Sequence, residues 1–229
     1  MILAVISDIH GNAPALEAVL ADLPSVDTLV CCGDAVGYYP DAAEVLDRLR
    51  ALRVALVRGN HELMVCGLKP VPPERAAVYR TEWTRQALSP EQLRWLRALP
   101  PTLEINREGL SIRIRHASPW DEDTYLYPDS PALRTIRLPT DHWVVLGHTH
   151  YPMQLRCGGG WLANPGSVGQ PRDWNPRAAY AVLDTATGQW RQRRVEYDHP
   201  AYQRRLEALG WEPQSVALLG RTRTVAAGT

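Results

Sequence analysis

The chain has 229 residues, 25 basic and 25 acidic side chains, and no net charge. That length fits one domain, or one with an elaboration, able to bury roughly 70 % of its unfolded surface without disulfides. The charge balance argues against a general nucleic-acid footprint. No apolar run approaches the ~20 residues of a membrane span.

Met1–Ile6 is too short for a signal peptide, and Asp8 follows closely. Cys31, Cys32, Cys66 and Cys157 form no CxxC pair. A disulfide framework is not expected at this count and length, so the predicted location is the cytoplasm. Cys31-Cys32 falls in an apolar run, where cysteine acts as a small hydrophobe. The alternative is a redox or ligand role for Cys32, two residues before Asp34.

In chain order, Ile2–Ile6 and Thr28–Cys32 are the first short runs rich in apolar and β-branched residues, and both read as buried strands. Between them Asn12 caps a helix with Pro14 in its first turn and Leu16, Val19, Leu20 and Leu23 on one face. A Gly37-Tyr38-Tyr39-Pro40 turn leads to a second helix carrying Val45, Leu49 and Leu52, then to a strand over Val54–Val57. This alternation predicts a parallel sheet. Residues 63–100 break the rhythm with Pro70, Pro72 and Pro73. Ala76, Tyr79 and Trp83 then recur at helical spacing, and Ser89-Pro90-Glu91-Gln92 forms a capping box, so the segment reads as a helical elaboration.

Residues 101–116 read as paired strands joined at Glu108-Gly109 and ending in the Leu110–Ile114 run. Residues 117–140, rich in Pro and Asp, form a long loop of the kind that carries function. After the Trp143–Leu146 strand come Gly158-Gly159-Gly160, an Asn164-Pro165-Gly166-Ser167 turn, and a hairpin of 178–184 with 189–196. A C-terminal helix with Tyr202, Leu206 and Leu209 ends at Gly210. The predicted organisation is a main domain over 1–198 and a helix and tail over 199–229.

Each of the five strand-like runs ends in metal-binding residue types: Asp8 and His10, Asp34, Asn60 and His61, His116, and His148 and His150. In α/β sheets, ligands gather beyond the carboxyl ends of the strands. Asp8-x-His10 and His148-x-His150 each place two donors at i and i+2, which face the same way in an extended chain. Gly33-Asp34 and Gly59-Asn60 put a small residue before a ligand, as a sharp turn requires. Asp8, His10, Asp34, Asn60, His116, His148 and His150 make a mixed oxygen and nitrogen shell without thiolate. That shell suits Mn, Fe, Zn or Ni over Mg or Ca. Seven ligands exceed one four-coordinate ion and fit two divalent transition-metal ions sharing a bridge. His142 and His199 read as structural or solvated.

Taken in order, Asp8-x-His10, Gly33-Asp34-x-x-Gly37, Gly59-Asn60-His61-Glu62, His116 and Gly147-His148-x-His150 resemble the calcineurin-like metallophosphoesterase signature. The resemblance spans about residues 1–195 and is nearest to the small prokaryotic phosphodiesterases, which also carry an Asn-Pro-Gly-Ser turn. It implies an α/β fold: a four-layer sandwich of two mixed β-sheets flanked by helices. It assigns Asp8, His10, Asp34 and His150 to one ion, and Asp34, Asn60, His116 and His148 to the other. His61 would be catalytic without binding metal, and Glu62, where the family most often has Asp, would orient it.

The expected chemistry is hydrolysis of phosphate esters by a hydroxide bridging two ions, with manganese the first ion to expect. Two divalent ions, Asp8, Asp34 and that hydroxide leave a net charge of about +1, which favours phosphate. Imidazolium at His61 would stabilise developing charge or protonate the leaving oxygen. The expected substrate is a small, nucleotide-like phosphodiester. Alternatives on the same site are a phosphomonoesterase, a protein phosphatase or a nuclease, and, in another class, a scaffold that lost the chemistry. Trp120, Tyr125 and Tyr127 either stack on a base or pin the loop. Asp121-Glu122-Asp123 reads as a solvated face that would repel a long polyanion, so nucleic acid is not the expected partner, nor is a membrane. Arg172 either reaches a substrate phosphate or forms a surface salt bridge, and a homo-oligomer is compatible with the C-terminal helix.

Overall fold

The computed structural model describes residues 1–223. Strand β1 (Ile2–Ile6), helix α1 (Ala13–Asp22), β2 (Thr28–Cys31), α2 (Ala42–Ala51) and β3 (Ala55–Leu56) alternate as expected. The Asn12 side chain caps α1 by accepting from the Ala15 amide at 3.1 Å. Four helices follow: α3 (Asn60–Val65), α4 (Ala76–Tyr79), α5 (Thr81–Ala87) and α6 (Pro90–Ala98). The Ser89–Gln92 capping box closes in both directions, at 3.1 and 2.9 Å.

Next come β4 (Leu103–Arg107), β5 (Leu110–Ile114), β6 (His142–Val145), β7 (Met153–Cys157), β8 (Gly160–Asn164), β9 (Ala178–Asp184) and β10 (Gln189–Val195). Helices α7 (His199–Ala208) and α8 (Pro213–Leu219) end the described chain.

The strands form two mixed five-stranded sheets, ordered β10-β9-β1-β2-β3 and β4-β5-β6-β8-β7. Side chains alternate across β1. Leu3 and Val5 face the second sheet, packing with Val30, Val57, Ile112, Ile114, Trp143 and Val145. Ile6 faces the helices, where Leu16, Val19, Val45, Leu46, Leu49 and Leu96 form the other core layer. The outer face of the second sheet is covered differently. Leu126 and Ile136, from within 117–140, pack on Val144, Leu146 and Leu162. The long loop is therefore part of the core as well as a surface feature.

Parallel pairing aligns Ile6 with Cys31 and Cys31 with Leu56 in one sheet, and Ile114 with Val145 and Val145 with Ala163 in the other. All these strands end at the same side of the sandwich, which brings the candidate ligands together.

Two features lie outside the sequence reading. The hairpin β7–β8 flanks Gly158-Gly159-Gly160, where exposed Gln154 and Arg156 interrupt the apolar run. The C-terminal tail carries a second helix, α8. Leu209, assigned to the apolar face of α7, is 55 % exposed. Tyr202, Leu206, Trp211, Val216 and Leu219 pack instead against Tyr38, Tyr39 and Val78. The last six tail residues, 224–229, lie outside the described residues.

Trp211 is central to this contact. Its Nε1–H donates to the Tyr38 carbonyl at 2.6 Å, and its ring meets Trp83 edge-on and lies under the Arg80 guanidinium. Trp211→Ala is expected to lower stability by about 3–5 kcal/mol, measured by urea unfolding. An unchanged midpoint would show that the C-terminal helices do not stabilise the body.

Candidate metal centre

Asp8, His10, Asp34, His148 and His150 all have left-handed backbone, with φ of 52°, 53°, 54°, 66° and 61°. The i, i+2 pairs therefore converge by tight left-handed turns after the strands, and the extended-chain rationale is corrected. Each such residue costs of order 1–3 kcal/mol, and surrounding hydrogen bonds must hold it. The Asp8 amide donates to the Gly33 carbonyl, the His10 amide to the Asp34 carbonyl, and the Gly169 amide to the Asp8 carbonyl, each at 3.0 Å. The Asn-Pro-Gly-Ser turn adds Ser167 Oγ, donating to the Asp8 carbonyl at 2.7 Å.

Seven donor atoms meet in two groups. His150 Nε2 lies 3.2 Å from His10 Nε2 and 3.4 Å from Asp8 Oδ1. His116 Nε2 lies 3.2 Å from Asp34 Oδ2, 3.0 Å from Asn60 Oδ1 and 3.2 Å from His148 Nδ1. Asp34 Oδ2 is also 3.8 Å from His10 Nε2, which puts it between the groups. With bonds of about 2.0–2.2 Å to a divalent ion, adjacent ligand atoms stand about 3.0–3.5 Å apart. The spacing fits.

The second ring nitrogens settle the tautomers. Nδ1–H of His10, His116 and His150 donates to the carbonyls of Val36, Cys32 and Gln170 at 3.1, 2.8 and 2.6 Å. His148 is reversed: its Nε2–H donates to the Asp123 carbonyl at 3.0 Å and its Nδ1 faces the cluster. Every imidazole of the two groups thus turns its other ring nitrogen inward, as metal-ligating histidines do. Burial lowers His148 to about 3 and holds His10 and His150 well below the usual range, so these rings are neutral donors. Burial alone would lower His116 too, but the Asp34 and Asp8 carboxylates raise it to about 10. Burial, opposed by His116 and reinforced by Asp34, pushes Asp8 up to about 7. A donor set with two buried carboxylates and so little positive charge is one that divalent cations complete.

His61 stands beside this cluster. Its ring packs against His10 (4.8 Å between centroids), Tyr38 (5.1 Å) and Tyr79 (4.6 Å), and Nδ1 is buried without a hydrogen-bond partner among the described residues. Burial lowers it to about 4, which favours the neutral ring in the free protein. Glu62 does not hydrogen-bond the His61 ring. It accepts from the amides of Gly59 (2.6 Å), Ala35 (2.7 Å) and Asp34 (2.9 Å). The longer Glu arm therefore ties the Asn60 turn to the Asp34 turn, and aromatic packing orients His61.

Arg172 makes no surface salt bridge among the described residues. Its Nη2 donates to Tyr38 Oη at 3.1 Å and to Gln170 Oε1 at 2.9 Å. The acidic run is also not a free face. Asp121 caps its own loop by accepting from Ser118, Asp123 and Thr124, while Glu122 and Asp123 pair with Arg58 and Lys69. These bonds hold Tyr125 over His148, with ring centroids 3.9 Å apart, and Tyr127 parallel to Tyr125. Trp120 is exposed and apart from that stack. Cys32 is buried with its thiol pushed up by burial; its carbonyl, not its sulfur, serves the site.

Residues 1–188 match the calcineurin-like phosphoesterase superfamily domain. The chain belongs to that superfamily. This phosphoesterase is 33 % identical over 219 residues to an uncharacterized protein of Methanocaldococcus jannaschii, covering 86 % of this chain and 88 % of that one. It is similar to the crystal structure of a metallophosphoesterase from Sphaerobacter thermophilus, at 30 % identity and a TM-score of 0.81 over 96 % of this chain and 98 % of that chain. A symmetrical bis(5'-nucleosyl)-tetraphosphatase of Pectobacterium atrosepticum is 31 % identical over 135 residues, 53 % of this chain and 46 % of that enzyme. The phosphoesterase is a metal-dependent hydrolase, and no helix among its described residues is long and apolar enough to cross a membrane.

Two site residues escape the sequence reading: Tyr38, hidden in an apparent turn, and Gln170, whose carbonyl fixes His150. The glycine rule also needs correction at Gly59. Gly33 has φ of +97° and is a true turn glycine, but Gly59 is extended at φ −106°. A Cβ there would sit 2.2 Å from Asp34 Oδ1, so close approach is the constraint. Gly59→Ala is expected to weaken metal binding by at least ~10-fold in a calorimetric titration. Wild-type affinity would show that the Asp34 carboxylate can move without penalty.

Proposed function

We propose that this phosphoesterase is a dinuclear enzyme that hydrolyses small, nucleotide-like phosphate esters, with residues 1–198 as the catalytic domain and helices α7 and α8 bracing it. The observation that carries the proposal is the pair of donor groups sharing Asp34, each imidazole fixed by a backbone carbonyl. Asp8, His10, Asp34 and His150 would hold one ion; Asp34, Asn60, His116 and His148 would hold the other. When bound, two such ions supply Lewis acidity to the phosphoryl oxygens and acidify a shared water. Mn²⁺ is the first metal to try, with Fe, Zn and Ni also compatible with the shell.

The chain's own residues supply the rest. His61, neutral and desolvated, is placed to donate an N–H to the leaving oxygen, and a phosphate's negative charge would raise its proton affinity. Tyr38 and Tyr79 hold its plane. Glu62 fixes both turns that carry the donors Asp34 and Asn60. Tyr125 and Tyr127 offer aromatic faces beside His148, which suits a nucleoside or other aryl group.

Metal-stripped protein should be inert towards bis(p-nitrophenyl) phosphate and p-nitrophenyl phosphate, and added Mn²⁺ should restore turnover. Failure on both esters with two ions bound, shown by elemental analysis, would overturn the proposal.

A further inference from the structure

Arg172 is a guanidinium without a counter-ion at a site built for anions. No carboxylate lies within 4.0 Å of it among the described residues; its hydrogen-bond partners there are the neutral side chains of Gln170 and Tyr38. A half-buried charge is normally paired, so a fixed guanidinium with neutral partners has capacity for an anion. Its partner Tyr38 packs its ring 4.7 Å from His10 and 5.1 Å from His61, and its partner Gln170 accepts from His150 through its carbonyl, which places the guanidinium beside the donor cluster.

The group is also aimed. Gln170 accepts from Arg172 Nε and Nη2 at 3.2 and 2.9 Å, while its carbonyl accepts from ligand His150 and its Nε2 donates to Tyr39 Oη. Tyr38, whose hydroxyl accepts from Nη2, is itself held in a left-handed conformation at φ 61°. Its amide donates to the Tyr79 carbonyl and its own carbonyl accepts from Trp211. Nη1 makes no hydrogen bond among the described residues and is not sealed from solvent. One residue, Gln170, thus fixes both a metal ligand and the cation.

Charge then discriminates between substrates. The centre with its ions carries about +1, matching the single charge of a plain phosphodiester. Arg172 adds one more positive charge, in the planar fork suited to phosphate oxygens. We propose that Arg172, aimed by Gln170 and Tyr38, binds a second anionic oxygen of the substrate and selects doubly charged phosphate esters over singly charged diesters. The second charge sits either on the reacting phosphorus, as in a monoester, or on its neighbour, as in a diphosphate. This rests on the phosphoesterase reading above and moves its preference away from plain diesters.

The test compares the Mn²⁺-loaded wild type with Arg172→Met, Arg172→Lys and Tyr38→Phe at about pH 8, above the second phosphate pKa of about 6. The substrates are p-nitrophenyl phosphate, diadenosine diphosphate and bis(p-nitrophenyl) phosphate. Calorimetry with phenylphosphonate and its monomethyl ester reads binding apart from turnover. Arg172→Met should lose about 10–100-fold in kcat/KM on a doubly charged substrate and in phenylphosphonate affinity. That loss should exceed the loss on the singly charged partners at least ten-fold. Arg172→Lys should recover part of it, and Tyr38→Phe should show a smaller loss with the same selectivity. Whichever of the monoester and the diphosphate is more affected locates the second charge.

Equal losses on both charge classes, or none, would overturn the inference, as a structural role moves both alike. If Arg172→Met does not fold, Tyr38→Phe and Arg172→Lys carry the same comparison. Turnover without charge selectivity defeats this inference alone, whereas a wild type inert on all three substrates defeats the phosphoesterase reading itself.

Discussion

Asp34→Asn is expected to reduce turnover by at least about 10³-fold and to lower metal stoichiometry from two ions per chain to one or none. The carboxylate has two duties that an amide cannot share. Oδ1 accepts the His61 amide at 2.9 Å, while Oδ2 faces His116 Nε2 at 3.2 Å and His10 Nε2 at 3.8 Å. If the Asn oxygen keeps the first duty, its NH₂ points into a shell of lone pairs. If it flips, the NH₂ opposes the His61 N–H. The substitution preserves volume, and the Glu62 bonds to the backbone of residues 34 and 35 remain, so the fold should survive. Elemental analysis with a Mn²⁺ titration checks this. Two tightly bound ions and wild-type turnover would show that Asp34 is not the bridge.

His61→Ala is expected to keep both ions and lose about 10²–10⁴ in kcat, the range of a general acid. The backbone bond from residue 61 to Asp34 survives the change, so the metal cradle is preserved. The donor atoms of His61, His10 and Asp34 also lie within 4.8 Å of one another, so ligation is the competing reading. Stoichiometry separates the two, since a ligand's loss would remove an ion. Leaving-group dependence gives a second readout. A proton donor matters little for p-nitrophenolate and much for an alkoxide, so the loss should grow as the leaving group becomes more basic. A uniform loss across leaving groups would take His61 out of proton donation.

The convergence of the candidate ligands is legible in the sequence because the signal is local. Ile2–Ile6 and Leu110–Ile114 each announce a buried strand, and the residues just beyond them must lie at a sheet edge. Parallel pairing then collects those edges. The proposed division of donors between two ions comes from the family resemblance and is not contained in the spacing alone. What stayed hidden depends on long-range contact. No periodicity marks Asp8, His10 and His150 as left-handed, because bonds from Gly33, Asp34 and Gly169 hold the Asp8–His10 turn. The reach of Glu62 across to Asp34 and Ala35 is visible only once the two turns are adjacent. Tyr38 reads as part of a tyrosine-rich turn until Trp211, 173 positions away, fixes its carbonyl. Helix α8 was missed for a similar reason: its short apolar face is meaningful only against Tyr39 and Val78.

Anomalous diffraction from a crystal of the Mn²⁺-soaked protein would locate the ions. Two peaks about 3.5–4 Å apart are expected, with Asp34 between them. Asp8, His10 and His150 should surround one peak, and Asn60, His116 and His148 the other. A single peak, or two that do not share Asp34, would contradict a dinuclear centre bridged by that residue.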